Sequence, residues 1–512
     1  MDINRRRLFR AGLGLSAIVA IAACGNGSPG SSEGADGPPR RGGTLRVGAL
    51  GTSSKIERDP HATLSNDSDF LIMSLLYDPL TVPGADPNVA PRLATRWESD
   101  AAQRNWTFTL AEGATFHDGR PVTSADAVWS LRRLREIAGE TKVPVSAAAD
   151  IRPAGPNSVV LTCAAPNSQL PLLLRMMTFV VPEGTTDFAR GVGSGPFRLD
   201  SFDHGNARLV RNETWHGGPP LLDAIEVTLF ESPESMSNAI MAGQIDLASS
   251  VGAVAGRTAE RRGDLKVVRR PDDVAVAIAM RTSDGPFADP RVREALRLIV
   301  DRDAMVAQVL SGYGTVANDV LGTADPSFDT TLPQRTRDLD RAKTLLTEAE
   351  FDTSKTYELV TKQEAAGEVE SARVFAAQAG DAGLKIEVVV QEANDFYDRT
   401  WLRAPLYTVN WGTNDSVVFF ASKVMTSQTA WNETHFEDPA FDKAYARALA
   451  AAPGGTEFRE ASREIQQIQY DRGGYIVWGM ADGIDIAADS VQGLPDLGGY
   501  GRVQLERAWL SS

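Results

Sequence analysis

The 512-residue chain has only two cysteines, Cys24 and Cys163, and only five histidines. So little cysteine excludes a disulfide-stapled scaffold; stability has to come from an ordinary apolar core, which this length can build in two or more domains. His61, His117, His204, His216 and His435 lie far apart, form no local metal motif, and read as packing or surface histidines, so no metal site and no cofactor is expected. Gly-x-x-x-x-Gly-Lys, His-Glu-x-x-His, Ser-x-x-Lys and Lys-Thr-Gly are all missing, which removes the common phosphate-loop, zinc-protease and penicillin-binding machineries; the spacing Gly-x-Ser-x-Gly occurs at Gly30-Ser31-Ser32-Glu33-Gly34, in a Gly/Ser-rich stretch with no strand or helix pattern around it, so no serine-hydrolase elbow is read. No catalytic residue is therefore assigned. Positive charge is also scarce, at 52 Lys plus Arg against 67 Asp plus Glu. Without Asp2, Arg5, Arg6, Arg7 and Arg10 the balance becomes 48 against 66, a net of −18, which argues against a nucleic-acid or anionic-membrane partner.

What is present begins at the N-terminus. Arg5, Arg6, Arg7 and Arg10 precede an apolar stretch from Ala11 to Ala23 that Gly12, Gly14 and Ser16 interrupt. The stretch is shorter than the about 20 residues a membrane-spanning helix needs, so an export signal over residues 1–23 is the better reading. Ile21-Ala22-Ala23-Cys24 resembles the bacterial lipobox, which implies a lipid on Cys24 and anchoring on the outer face of the cytoplasmic membrane. Asn4-Arg5-Arg6-Arg7-Leu8-Phe9-Arg10 also resembles a twin-arginine signal, leaving the export route open. Residues 24–43 are mostly Gly, Ser, Pro and charge, a composition suited to a flexible tether.

Beyond residue 43, β-branched runs predict strands over Thr44 to Ala49, Trp106 to Leu110, Ser158 to Thr162, Ala224 to Phe230, Val274 to Met280, Lys385 to Val390 and Tyr475 to Trp478. Amphipathic helices alternate with them. Asp289-Pro290 caps one that aligns Val292, Ala295, Leu296, Ile299, Val306, Val309 and Leu310 before Gly312; Asp438-Pro439 opens another; two more start near Asp338 and Glu457. Ser124 is expected to cap a further helix through Val128 and Leu131, and Phe116-His117-Asp118-Gly119 reads as a tight turn with a positive φ at the glycine. Gly193-Ser194-Gly195-Pro196 reads as a turn and not as a phosphate cradle. The alternation indicates a mixed α/β fold in more than one lobe.

Several segments then resemble, in order, the solute-binding proteins of peptide and nickel ABC importers, solute-binding protein family 5. They include Asp59-Pro60-His61, Pro91-Arg92-Leu93-Ala94-Thr95-Arg96-Trp97, Phe116-His117-Asp118-Gly119, Pro121-Val122-Thr123-Ser124-Ala125-Asp126-Ala127-Val128, Gly193-Ser194-Gly195-Pro196-Phe197, Ala242-Gly243-Gln244-Ile245-Asp246, Arg291-Val292-Arg293-Glu294-Ala295-Leu296 and Asp438-Pro439-Ala440-Phe441-Asp442. Most of these read as fold-makers and not as ligand contacts. The resemblance implies a periplasmic-binding-protein-like α/β fold of the large type, with two lobes, a hinge and an extra N-terminal subdomain. Lobe I is expected over 44–58, 190–275 and 484–512, the inserted subdomain over 59–189, and lobe II over 276–483. Hinge segments are placed near Asp273 to Arg281 and Val477 to Asp485.

The same resemblance implies an extracytoplasmic receptor, a monomer, that delivers a peptide or other small solute to ABC permease subunits. Peptide-binding relatives commonly carry Trp-x-x-Asp on a cleft strand, the carboxylate taking the ligand's ammonium. Here the run is Asn410-Trp411-Gly412-Thr413-Asn414-Asp415, which sets a neutral Asn414 at that position and puts Asp415 on the opposite face of a regular strand, unless a one-residue bulge returns it. The expected ligand contacts are Trp411, Gly412, Asn414 and Asp415, with Trp478 and Met480 in the second hinge and Ser53 and Ser54 before Asp59. Asn414 keeps non-peptide solutes open, such as a metal chelate, a glycan or an opine-like compound. A secreted hydrolase and a signalling receptor are the readings from other classes.

Overall fold

The computed structural model describes residues 38–51, 58–62, 67–84, 89–138, 143, 145, 150–175, 178–365, 367–412, 416–495 and 503–511. Residues from Pro39 onward form one compact unit. Its backbone is organised by an eleven-stranded sheet, running in spatial order Lys385–Gln391, Thr356–Lys362, Leu406–Gly412, Leu265–Met280, Tyr475–Ala488, Leu247–Ala248, Thr44–Leu50, Ala224–Phe230, Asn206–Arg211 and Phe197–Asp203, with Gly314–Val316 pairing beside Tyr475–Ala488. A separate four-stranded sheet, Ala94–Ser99, Asn105–Leu110, Ser158–Thr162 and Ile151–Pro153, carries the helix Ser124–Ala138. All seven strand expectations fall on strands, but two were too short: the runs Val274 to Met280 and Tyr475 to Trp478 are the ends of strands of 16 and 14 residues.

The apolar side chains collect into separate cores. Leu45, Val47, Ile72, Phe197, Ile225 and Val227 share one, and Phe108, Leu131, Ile151 and Leu161 another under the small sheet, where Cys163 is also buried. Ile278, Leu296, Phe375, Leu406 and Ile476 form a third, and Ala277, Tyr407, Phe441, Ile465 and Val477 a fourth. Met236, Ile240, Ile484 and Ile486 belong to a fifth. The two long strands run between these cores, since Val267 and Ile486 pack in the fifth while Ala277 and Val477 pack in the fourth.

Local chemistry explains the element ends. Asp289 accepts from the Arg291 N–H at 2.8 Å and Asp438 from Ala440 and Phe441 at 2.9 and 3.1 Å, each with proline at the first helical position. Asp338 likewise caps Leu339–Glu348. The expected single helix from Asp289 to Gly312 is interrupted. Pro290–Ile299 ends at Val300, where ψ turns to 117°, and Asp301 caps a new helix that widens into a π turn over Val306–Leu310. The apolar spacing survives the break because both pieces face the same core. Ser124 is not a cap: its hydroxyl donates to the Gly155 carbonyl at 2.6 Å, and Asp126 reaches back to the Thr123 N–H at 2.8 Å instead. Gly119 has the expected positive φ, +86°, and Gly193 is a close approach, since a methyl there would lie 2.0 Å from the Leu76 carbonyl oxygen.

The signature residues tie the fold together. Arg92 bridges Asp78 at 2.7 Å and Glu506 at 2.5 Å while lying over the Trp215 ring, and Asp78 also accepts from Nε2 of His216. Arg133 donates to Asp59 and to Nδ1 of the fully buried His61, whose Nε2 meets the Phe179 carbonyl at 2.9 Å.

Where the two long strands cross between cores, their register shifts between Arg270 and Val274, and Asp272 takes a positive φ of 50°. The fully buried Arg270 guanidinium donates there to Asp273 at 3.1 Å and to Asp485. Gly483 leaves room for this cluster, because a methyl at that position would lie 2.2 Å from the Asp273 carboxylate and 2.4 Å from the Arg270 guanidinium. Removing one member of a buried ion cluster strands the others in low dielectric. Arg270→Met is therefore expected to destabilise the fold by about 3–5 kcal/mol, read as a lower urea midpoint at an unchanged slope. An unaltered midpoint would show that the cluster adds nothing to stability.

Candidate functional site

A cleft of about 1720 Å³ opens over this crossing, with Asp273, Val274, Val276 and Ala277 from one long strand and Ala481 to Ile484 from the other in its floor. This is larger than the about 300–1,000 Å³ typical of small-molecule pockets. One wall comes from the helix Pro233–Met241 and the segment 250–258; the facing wall comes from 362–371, 392–401 and the end of Leu406–Gly412.

Strand alternation places the aromatic part of that wall. Along Leu406–Gly412 the side chains of Tyr407, Val409 and Trp411 join one core, while the intervening Thr408 points the other way and donates to Thr361 at 2.8 Å. Trp411 is half-buried at the open end, and its ring stacks on Trp431 with centroids 6.4 Å apart. Trp401 meets Trp431 edge-on at 5.9 Å. A single carboxylate orients this group. Glu433, only 2 % exposed, accepts from the Trp401 indole N–H at 2.6 Å, the Trp411 indole N–H at 3.0 Å and the Tyr475 hydroxyl at 2.8 Å. Burial pushes its pKa up from the ordinary carboxylate value, and the three donors oppose that shift.

Two lysines complete the wall. Lys362 donates to Glu368 at 2.6 Å; burial alone would lower its ammonium, but Glu368, Tyr397 and Glu364 hold it above the ordinary lysine value. Lys423 lies over the rings of Phe419, Trp431 and Trp411 at 5.0, 5.3 and 5.4 Å. Burial, and then the nearby Arg175, push its ammonium down to about 8.

Of the expected contacts, Trp411 and Gly412 line the cleft. Trp478 and Met480 are not among its described lining residues: they are 0 % and 1 % exposed and sit in the third and fourth cores. The reason is that the sheet is covered on both faces at the start of Tyr475–Ala488, so Trp478 enters one core and Met480 another, while it is the next stretch of the strand, Ala481 to Ile484, that reaches the cleft. Ser53, Ser54, Asn414 and Asp415 lie outside the described residues, as does Cys24. Sequence reasoning missed Glu433, Trp401, Trp431 and Lys423. One signal was present, since three of the nine tryptophans fall at 401, 411 and 431.

With this geometry in place, comparison with known proteins is decisive at the family level. Residues 88–451 match the profile of "Bacterial extracellular solute-binding proteins, family 5 Middle". The chain belongs to that family. It is 26 % identical over 336 residues to the oligopeptide-binding protein AppA of Bacillus subtilis (strain 168), an alignment that covers 62 % of this chain and 61 % of AppA. The chain thus spans about three fifths of that relative's length. In structure it is similar to AppA from Bacillus subtilis in complex with a nonapeptide, with a TM-score of 0.79, 20 % identity, and coverage of 93 % of this chain and 100 % of that one. It is similar also to NikZ from Campylobacter jejuni in complex with Ni(L-His), with a TM-score of 0.79, 17 % identity, and coverage of 91 % and 99 %. These likenesses establish the mixed α/β fold of periplasmic binding proteins.

The Lys423 ammonium yields a pH prediction. Its proton affinity is lower in the fold than in the unfolded chain, so between pH about 8 and about 10.5 the unfolded state binds more protons and stability rises with pH. Relative to Lys423→Met, the wild type should gain about 2–3 kcal/mol of unfolding free energy from pH about 7 to about 10 in urea titrations. Parallel curves for the two proteins would contradict a buried, downshifted ammonium.

Proposed function

We propose that the protein is the extracytoplasmic substrate-binding component of an ABC importer, capturing peptides in the cleft and handing them to membrane permease subunits. The observation that carries this reading is the 1720 Å³ cleft with its aromatic wall, set over the crossing of the two long strands in a fold shared with a nonapeptide-bound protein. Lobe I comprises 44–58, 190–275 and 484–512, lobe II comprises 276–483, and 59–189 is a subdomain inserted in the first. The two long strands then serve as the hinge, and closure is stabilised by a ligand that touches both walls. An extended peptide fits a long cleft through main-chain hydrogen bonds, with Trp411 and Gly412 at its edge and Asn414, Asp415, Ser53 and Ser54 as further contacts.

Cys24 carries the lipid in this proposal, and residues 25–43 are the tether. No helix among the described residues is long and apolar enough to cross a membrane. A lipid at Cys24 would keep a diffusing monomer beside its permease and raise its effective concentration there. The role is capture and not catalysis. A second reading, a metal chelate as the solute, is favoured by the Ni(L-His) held by NikZ on the same fold.

Thermal-shift screening with peptides of two to nine residues tests the assignment. A peptide present at about 100 times its Kd should stabilise the protein by about 2.7 kcal/mol, and Trp411→Ala should weaken it by at least about 30-fold. If no peptide shifts the melting temperature while a nickel-histidine complex does, the peptide assignment fails and the second reading takes its place. Cys24→Ser should move the protein from the membrane fraction to the soluble one; retention in the membrane would refute the anchor.

A further inference from the structure

The charges that line the cleft are far from the balance of the whole chain. Eleven carboxyl-bearing residues but only two lysines line it, with no arginine or histidine among the described lining residues, whereas the chain as a whole has 67 acidic against 52 basic residues. General acidity of the protein does not account for that ratio. The two lysines are also withdrawn from solvent. Lys362, whose side chain is 3 % exposed, is engaged by Glu368, and Lys423 is buried against the aromatic wall. The exposed charge facing the cleft is therefore entirely negative among the described lining residues.

The negative charge is divided between the walls. Glu231 and Glu234 are exposed on the side of the helix Pro233–Met241, and Glu370, Glu392 and Asp398 are exposed on the facing side. A concave, low-dielectric site lined by one sign of charge focuses its field into the opening and concentrates counter-ions there. Closure brings the two walls toward one another, so it also brings like charges together. A neutral or anionic ligand leaves that repulsion in place, while a cation held between the walls removes it. The half-buried ring of Trp401 offers a second attraction of the same sign, since aromatic faces are electron-rich and favour an ammonium or guanidinium group, whereas Tyr397, Trp411 and Trp431 already lie beside Lys362 and Lys423.

We propose that the cleft is selective for cationic ligands, and specifically for peptides that carry basic side chains, with the acidic walls acting as an electrostatic condition on closure. This deepens the reading of the protein as a peptide receptor and rests on it. The specificity comes from summed charge over two walls and not from a single ion pair, so it tolerates variation in peptide sequence as long as positive charge is kept.

Calorimetry with three tripeptides of equal length, Lys-Ala-Lys, Ala-Ala-Ala and Glu-Ala-Glu, tests this on the intact protein. At an ionic strength of about 0.01 M, where the screening length is about 30 Å, Lys-Ala-Lys should bind at least about tenfold more tightly than Ala-Ala-Ala, and Glu-Ala-Glu more weakly still. At about 1 M, where that length is about 3 Å, the three affinities should converge. The double variant Glu234→Gln, Glu392→Gln should reduce the preference for Lys-Ala-Lys several-fold while preserving the melting temperature. Equal affinities for the three tripeptides at low salt overturn the cationic proposal and leave the peptide receptor standing. Binding of spermidine but of none of the tripeptides supports the cationic cleft and removes the peptide assignment. If neither spermidine nor any tripeptide binds, both fall.

Discussion

Everything about the site depends on the antiparallel pairing of Leu265–Met280 with Tyr475–Ala488. These strands carry the chain between apolar cores, supply the floor of the cleft and are joined at the crossing by the buried Arg270, Asp273 and Asp485 cluster. A regular ladder would be stiff throughout. The register shift beside Asp272 interrupts it at the place where the cores change, and the ion cluster keeps the irregular backbone in one geometry. Desolvating a guanidinium and two carboxylates is costly unless all of them are paired, and here Arg270 is paired with both Asp273 and Asp485.

The cleft wall uses a similar economy. Glu433 is a buried carboxylate surrounded by neutral donors, and its hydrogen bonds to Trp401, Trp411 and Tyr475 fix the indoles of two aromatic residues that face the opening. Rigid aromatic surface is suited to a ligand of variable sequence, since it offers contact area without demanding one hydrogen-bond pattern. Outside this group the exposed charge among the described lining residues is negative on both sides, so the wall joins an unspecific apolar attraction to a charge-based one.

Much of the scaffold was legible because its signals are local. Asp289-Pro290 and Asp438-Pro439 mark helix starts through a side-chain cap and a proline that has no N–H to lose, and β-branched runs mark strands. The misreadings share one cause. Ser124 gives its hydroxyl to Gly155 across 31 residues, and the helix after Asp289 breaks at Val300 without a proline or glycine to announce it. Trp478 and Met480 carry no local mark that separates a core position from a cleft position, and only the cover on both faces of the sheet decides it.

By itself the amino-acid sequence determined the class of fold, the helix caps at Asp289, Asp338 and Asp438, the lack of a disulfide framework and the family signature, since each depends on composition or on residues a few positions apart. Only the tertiary structure decided where the cleft lies, that Glu433 orients Trp401 and Trp411, and that the acidic side chains of segments more than a hundred residues apart face one opening. The physical reason is that a binding site is a convergence of distant segments. Sequence spacing encodes periodicity along one element, but which elements meet is set by the packing of several cores around a shared sheet.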